Sequence, residues 1–205
     1  MKPSFVRFLS GNETLDGRYT AAPASDRAVI VTHPHPLYGG DMNNSVVSAI
    51  ATAYQQCGFS VLRFNFRGVG ASTGTYGEGI GEQEDVAAAV DFVRQKGISR
   101  IHLSGYSFGA WVNAATLSAG SGFGVEALTL VAPPAAVMPF PEDLRLPMLS
   151  GIIAGEQDDI APPDLIRKLA VRWNPEARLE VIPGADHFFA GFLDAVTARV
   201  SEFSQ

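Results

Sequence analysis

The sequence predicts an α/β protein with a mostly parallel central sheet, an antiparallel N-terminal pair and helices on both faces. Three observations predict it. Short β-branched runs such as Ala28-Val29-Ile30-Val31-Thr32 have no polar alternation, which marks strands covered on both sides. These runs alternate with longer helix-forming segments, the pattern of βαβ units. At 205 residues with 46% hydrophobic and 18% charged side chains, the composition is that of an ordinary globular chain. A chain of this length buries roughly 70% of its unfolded surface, enough for one sizeable core, so a single domain spanning 1–205 is expected.

The elements follow in order. Phe5–Leu9 and Thr14–Thr20 read as the opening antiparallel pair, turning at Gly11-Asn12. Ala28–Thr32 is the first buried strand. Asn44–Gln56 reads as a helix and Phe59–Phe64 as the next buried strand. In the helix Gly81–Lys96, acids come early (Glu82, Glu84, Asp85) and bases late (Arg94, Lys96), which suits the helix dipole, and Gly97 ends it. Strand Arg100–Ser104 leads into helix Ser107–Ser118, and strand Val125–Val131 follows. Strand Met148–Ala154 precedes a helix at Pro163–Arg172. Strand Leu179–Ile182 precedes a closing helix at Phe189–Ser204. No internal repeat or linker interrupts the series.

Charge and cysteine usage exclude several function classes. The formal net charge is −6 and no basic run exists, so nucleic acid is not an expected partner. The single Cys57 cannot form an internal disulfide, and no base lies beside it in sequence, so it reads as a small buried residue. The N-terminus shows no secretory signal and no segment has the length of a membrane span, which makes the cytoplasm the default expectation and a membrane partner unexpected. Oligomeric state leaves no mark in the sequence.

Ligand sites in parallel sheets lie beyond the carboxyl ends of the strands, and three loops there carry nucleophilic chemistry. Gly105-Tyr106-Ser107-Phe108-Gly109 joins a strand to a helix, a turn that holds its serine strained and exposed. Gly155-Glu156-Gln157-Asp158-Asp159 follows a later strand, and Gly184-Ala185-Asp186-His187-Phe188 follows the last. A serine hydroxyl is a poor nucleophile until a base takes its proton, and histidine titrates where it can do so. A carboxylate then fixes the imidazole tautomer. The three meet in the order serine, acid, histidine, so Ser107, Asp158 and His187 are the candidate catalytic group. Asp158 is preferred as the acid, with Asp159 the alternative and otherwise a turn cap. Asp186, adjacent to His187, is expected to bond its own loop backbone.

A developing oxyanion needs donors. One is the N–H after the nucleophile, that of Phe108. The loop His33-Pro34-His35-Pro36-Leu37-Tyr38-Gly39-Gly40 is placed to give the second. Its prolines have no N–H, so Leu37 is the first choice and Tyr38 the second. Gly39 and Gly40 let this chain fold back over the nucleophile.

Five motifs now coincide: the His33–Gly40 loop, Asn65-Phe66-Arg67-Gly68-Val69-Gly70-Ala71-Ser72, the pentapeptide around Ser107, Gly155-Glu156-Gln157-Asp158, and Asp186-His187-Phe188-Phe189. In this order, across nearly the whole chain, they resemble the α/β-hydrolase superfamily, in the small branch close to dienelactone hydrolases and compact carboxylesterases. The resemblance implies the α/β-hydrolase fold, a nucleophile at Ser107, acid at Asp158 and base at His187, and no cofactor. It implies hydrolysis of a small carboxylic ester or thioester through an acyl-enzyme. The chain departs from the branch in two ways. His-Pro-His-Pro replaces the commoner His-Gly opening, and serine stands where dienelactone hydrolases use cysteine.

Where larger relatives insert a lid, residues Ala132–Pro147 are short and rich in proline, which excludes a helical cap domain. An open site is expected, with Tyr38, Tyr106, Met138, Phe140 and Phe188 as pocket residues and Trp111 and Phe108 shared between pocket and core. Arg67 is expected to brace its own loop, and His102 to be a core histidine.

Three rival readings compete. A metal-dependent hydrolase would use His33-x-His35, but no ligand follows at Leu37 or Tyr38, so no metal is assigned. A dinucleotide site would need a third glycine where Thr73 stands. A catalytically silent binding module on the same fold would lack a member of the serine, acid and histidine set, and none is lacking.

Overall fold

The computed structural model describes residues 2–23, 25–118 and 124–204. Eight strands form one sheet, β1 (Ser4–Ser10), β2 (Glu13–Thr20), β3 (Arg27–Thr32), β4 (Ser60–Phe64), β5 (Arg100–Tyr106), β6 (Val125–Val131), β7 (Leu149–Gly155) and β8 (Arg178–Ile182), in the order β1-β2-β4-β3-β5-β6-β7-β8. β2 pairs antiparallel with both β1 and β4, and every other pairing is parallel. The predicted mostly parallel sheet with an antiparallel N-terminal pair is therefore present.

Among the described residues five α-helices cover it: α1 (Ser45–Gln56), α2 (Ile80–Arg94), α3 (Phe108–Ser118), α4 (Pro163–Trp173) and α5 (Leu193–Phe203). Strand pleating puts α1 and α3 on opposite faces. His102 of β5 meets the ring of Tyr54 from α1, whereas Gly105, three residues on, faces the backbone of Ala110 in α3. α5 packs with α1, and α2 packs with α3. The strands between them are sealed on both sides. Ala28 through Val31, Ile101, Leu103, Leu128 and Leu130 are fully buried, which is why these runs carry no polar alternation.

The expected elements lie within a few residues of their sequence positions, with one larger difference. The closing helix begins at Leu193, not at Phe189. Phe189 and Gly191 have φ of 54° and 81°, and a right-handed helix cannot pass through them. Asn44 lies outside α1 as its cap, accepting from the N–H groups of Val46 and Val47.

The register brings the functional loops to one end of the sheet. Thr32 pairs with Gly105, Tyr106 with Val131, and Gly155 with Ile182. The chains leaving these residues therefore emerge side by side. Residues 132–147 contain no helix, and buried Leu144 and Leu146 moor the stretch, the latter through its N–H to the carbonyl of Trp173.

Candidate active site

The turn at Ser107 is built by its neighbours. Ser107 has φ of 52°, in the left-handed region that a side chain enters at a cost of about 1–3 kcal/mol. Tight packing enforces it. A β carbon on Gly105 would sit 2.5 Å from Thr32 Oγ1, and one on Gly109 would sit 2.7 Å from the His33 carbonyl oxygen. Only glycine lets α3 approach β3 this closely. Ser107 N–H is held by the Val131 carbonyl at 2.9 Å, and α3 starts at the next residue.

Three side chains from three loops then join in series. Ser107 Oγ lies 2.9 Å from His187 Nε2, and His187 Nδ1 lies 2.8 Å from Asp158 Oδ2. With Nδ1–H donating to the carboxylate, Nε2 is left to accept the Ser107 proton. All three residues are buried or nearly so. Asp158 is positioned by its second oxygen, which accepts from the N–H groups of Ile160 and Ala161 at 2.9 and 2.7 Å. The turn-capping role expected of Asp159 thus belongs to Asp158 itself, and Asp159 is exposed.

His187 is held from behind. The buried Tyr106 hydroxyl donates to the His187 carbonyl at 2.9 Å, and burial raises the pKa of that phenol. Asp186 accepts from the N–H groups of Phe188 and Phe189, closing the loop on its own backbone as expected.

The His33–Gly40 loop differs in detail from the sequence reading. Pro36–Tyr38 forms one 3₁₀ turn. Leu37 N–H is spent on His35 Nδ1 at 3.2 Å, and Tyr38 N–H on the His35 carbonyl at 3.1 Å. Both preferred donors are therefore engaged inside the turn, and Leu37 lies away from the cleft lining. His35 N–H has no hydrogen-bond partner among the described residues, and His35 lines the cleft. The sequence reading discounts the prolines and selects Leu37 and Tyr38, which leaves the His35 N–H out. Phe108 N–H, in the first turn of α3, has no intrahelical acceptor. Gly40 returns so tightly that a β carbon there would sit 2.1 Å from the Pro34 carbonyl oxygen.

A cleft of about 850 Å³ opens over Ser107 and His187. Tyr38, Tyr106, Met138 and Phe188 line it, together with Pro134, Val137 and Ile160, whose residue types alone mark no pocket. Phe140 is not in the lining; its ring packs on Trp173 at 4.8 Å between centroids. Trp111 stands behind the lining, donating its Nε1–H to the Pro139 carbonyl. No Lys, Arg, Asp or Glu lines the cleft.

The remaining motif residues are structural. Arg67 clasps buried Asp85 through Nη2 at 2.8 Å and Nε at 3.1 Å, with Glu84 beside it. Asp16 Oδ1 gathers Asn65 Nδ2, Ala71 N–H and the Ser72 hydroxyl, which locks the Asn65–Ser72 loop to β2. His33 is fully buried, accepting from Phe66 N–H at Nε2 and donating from Nδ1 to the Pro34 carbonyl. Burial pushes its pKa down to about 4. Both nitrogens of His33, and both of His35, already serve protein groups. Among the described residues no cluster of three metal-ligating side chains exists, and no helix is long and apolar enough to cross a membrane.

No family model matches the chain. It is 33% identical to an uncharacterised protein of Rickettsia prowazekii, over 96% of this chain and 87% of that protein. An α/β serine hydrolase homologue from Coxiella burnetii superposes with a TM-score of 0.90 at 32% identity, covering 98% of this chain and 97% of that one. A lidless α/β serine hydrolase of Xanthomonas campestris superposes with a TM-score of 0.89 at 29% identity, covering 99% and 94%. With the sheet order, the turn at Ser107 and the absence of a lid in agreement, this chain belongs to the α/β serine hydrolase superfamily, among its small lidless members.

Proposed function

We propose that this protein hydrolyses a small carboxylic ester or thioester through an acyl-enzyme, with Ser107, His187 and Asp158 as its catalytic triad. The observation that carries the proposal is the unbroken series of short hydrogen bonds from Ser107 Oγ through His187 to Asp158. His187 Nε2 takes the Ser107 proton as Oγ attacks the carbonyl carbon. Asp158 stabilises the imidazolium that results. The oxyanion settles between two N–H groups, those of Phe108 and His35, neither of which has another acceptor among the described residues. His187 then returns the proton to the departing alcohol or thiol. A water, deprotonated in turn by His187, attacks the acyl-enzyme and frees the acid.

The lining favours an uncharged, largely apolar group on at least one side of the ester, since no charged side chain stands ready to pair with an ionised one. The test has two parts. A serine-directed phosphonate should label Ser107 stoichiometrically. Ser107→Ala should lose on the order of 10⁴-fold or more in kcat on any ester the wild type turns over. Turnover by that variant near the wild-type rate would overturn the proposal. A panel of esters of graded chain length then defines the substrate.

A further inference from the structure

His35 sits at the junction of three elements, and its imidazole is used on every side. Leu37 N–H donates to Nδ1, so Nδ1 carries no proton, and a neutral ring must then carry its proton on Nε2. Nε2 lies 3.2 Å from the hydroxyl of Tyr76, which accepts that proton's hydrogen bond. The ring faces Phe108 and Tyr38, with centroids 4.8 and 4.9 Å away. Tyr76 is anchored in turn. Buried Glu82, in the first turn of α2, accepts from Gly77 N–H at 2.8 Å and Gly79 N–H at 2.7 Å, which fixes the segment after Tyr76. A chain of contacts thus runs from α2 through Tyr76 to the turn that presents the His35 N–H.

We infer that the His35 side chain is a positioning residue, whose neutral Nε2–H tautomer clamps the Pro36–Tyr38 turn so that the oxyanion pocket is held open beside Ser107. The inference rests on the serine hydrolase reading for its catalytic consequence. Protonation of Nδ1 would set one N–H against another at Leu37, and the clamp would fail. The titratable groups facing the ring are Glu82 of α2, Tyr76 before it and Tyr38 of the same turn, and His187 shares the cleft lining. Burial holds His35 below the ordinary histidine range, against the opposing pull of the Glu82 carboxylate, so the clamp stays intact at neutral pH.

Three variants and one spectrum test it. In wild type, two histidines must be neutral, so log(kcat/KM) should fall in acid with a slope approaching 2. His35→Asn places an oxygen where Nδ1 stands and keeps the Leu37 bond without titrating. It should lose less kcat than His35→Gln at neutral pH and reduce the acid slope to 1. His35→Gln loses that acceptor and should lower kcat at least about tenfold, with KM changed less. Tyr76→Phe should fall between them. Long-range ¹H–¹⁵N spectra of the wild type should show His35 as the Nε2–H tautomer at neutral pH. An Nδ1–H tautomer, an unchanged slope in His35→Asn, or wild-type kcat in His35→Gln would each overturn the clamp. The Nε2–H tautomer in a protein that neither labels with phosphonate nor turns over any ester would support the clamp and sink the hydrolase reading instead.

Discussion

Asp158 presents one carboxylate oxygen to His187 and the other to the backbone of the turn that follows it, so the acid facing the imidazole has no rotational freedom left. Its neighbour Asp159 has neither contact and is exposed. Asp158→Asn should lower kcat by about 10⁴-fold, because an amide NH₂ toward Nδ1 selects the wrong tautomer. Asp159→Asn should stay within about threefold. Steady-state rates on one ester separate the two, and equal losses would show that the roles are shared.

Ser107 trades stability for the placement of its hydroxyl against His187. At φ of 52° glycine is at ease and alanine is not. Ser107→Gly should therefore be more stable than Ser107→Ala by about 1 kcal/mol, read from urea unfolding midpoints. Equal midpoints would mean the turn stores no strain.

Arg67 and Asp85 make a largely buried pair, whereas Glu84 beside them is mostly exposed. Arg67→Met leaves a carboxylate buried without its partner and should cost about 3 kcal/mol of stability. Glu84→Gln should cost no more than about 1 kcal/mol. Denaturant titration checks both. The effect on activity should follow stability alone, since Arg67 is absent from the cleft lining.

His102 lies in the sheet between Tyr54 and Phe59, with Nδ1 unpartnered, and burial pushes its pKa down to about 4. In the unfolded chain it protonates near 6.5. Between those values the unfolded state holds a proton that the folded state refuses, so stability is full above about pH 6.5 and declines toward pH 4. The loss is at most about 3 kcal/mol for this group. His102→Phe should flatten the decline by that share, while buried His33 keeps its own. An unchanged pH dependence in the variant would mean that His102 binds its proton equally in the folded and unfolded states.

Much of this was legible in the residues. The strands of the parallel sheet carry unbroken apolar runs because both faces are sealed, and the glycines around Ser107 announce a turn that only they permit. The meeting of Asp158 and His187 with Ser107 follows from strand order, because parallel topology sends those loops to one edge. What escaped was set by contacts remote in sequence. The engagement of Leu37 N–H depends on where the His35 ring turns, and that depends on Tyr76, 41 residues away. Phe140 looked like a pocket residue by type, but Trp173 claims it. The late start of α5 follows from a left-handed Phe189, a conformation that its side chain does not advertise.

The moored stretch 132–147 has a kinetic corollary. With Leu144 and Leu146 sunk in the core, no part of 132–147 needs to swing aside for the cleft to be reached. Admission is then a matter of diffusion alone, so progress curves should start without a lag and dissolved monomers should be taken as readily as aggregated ones.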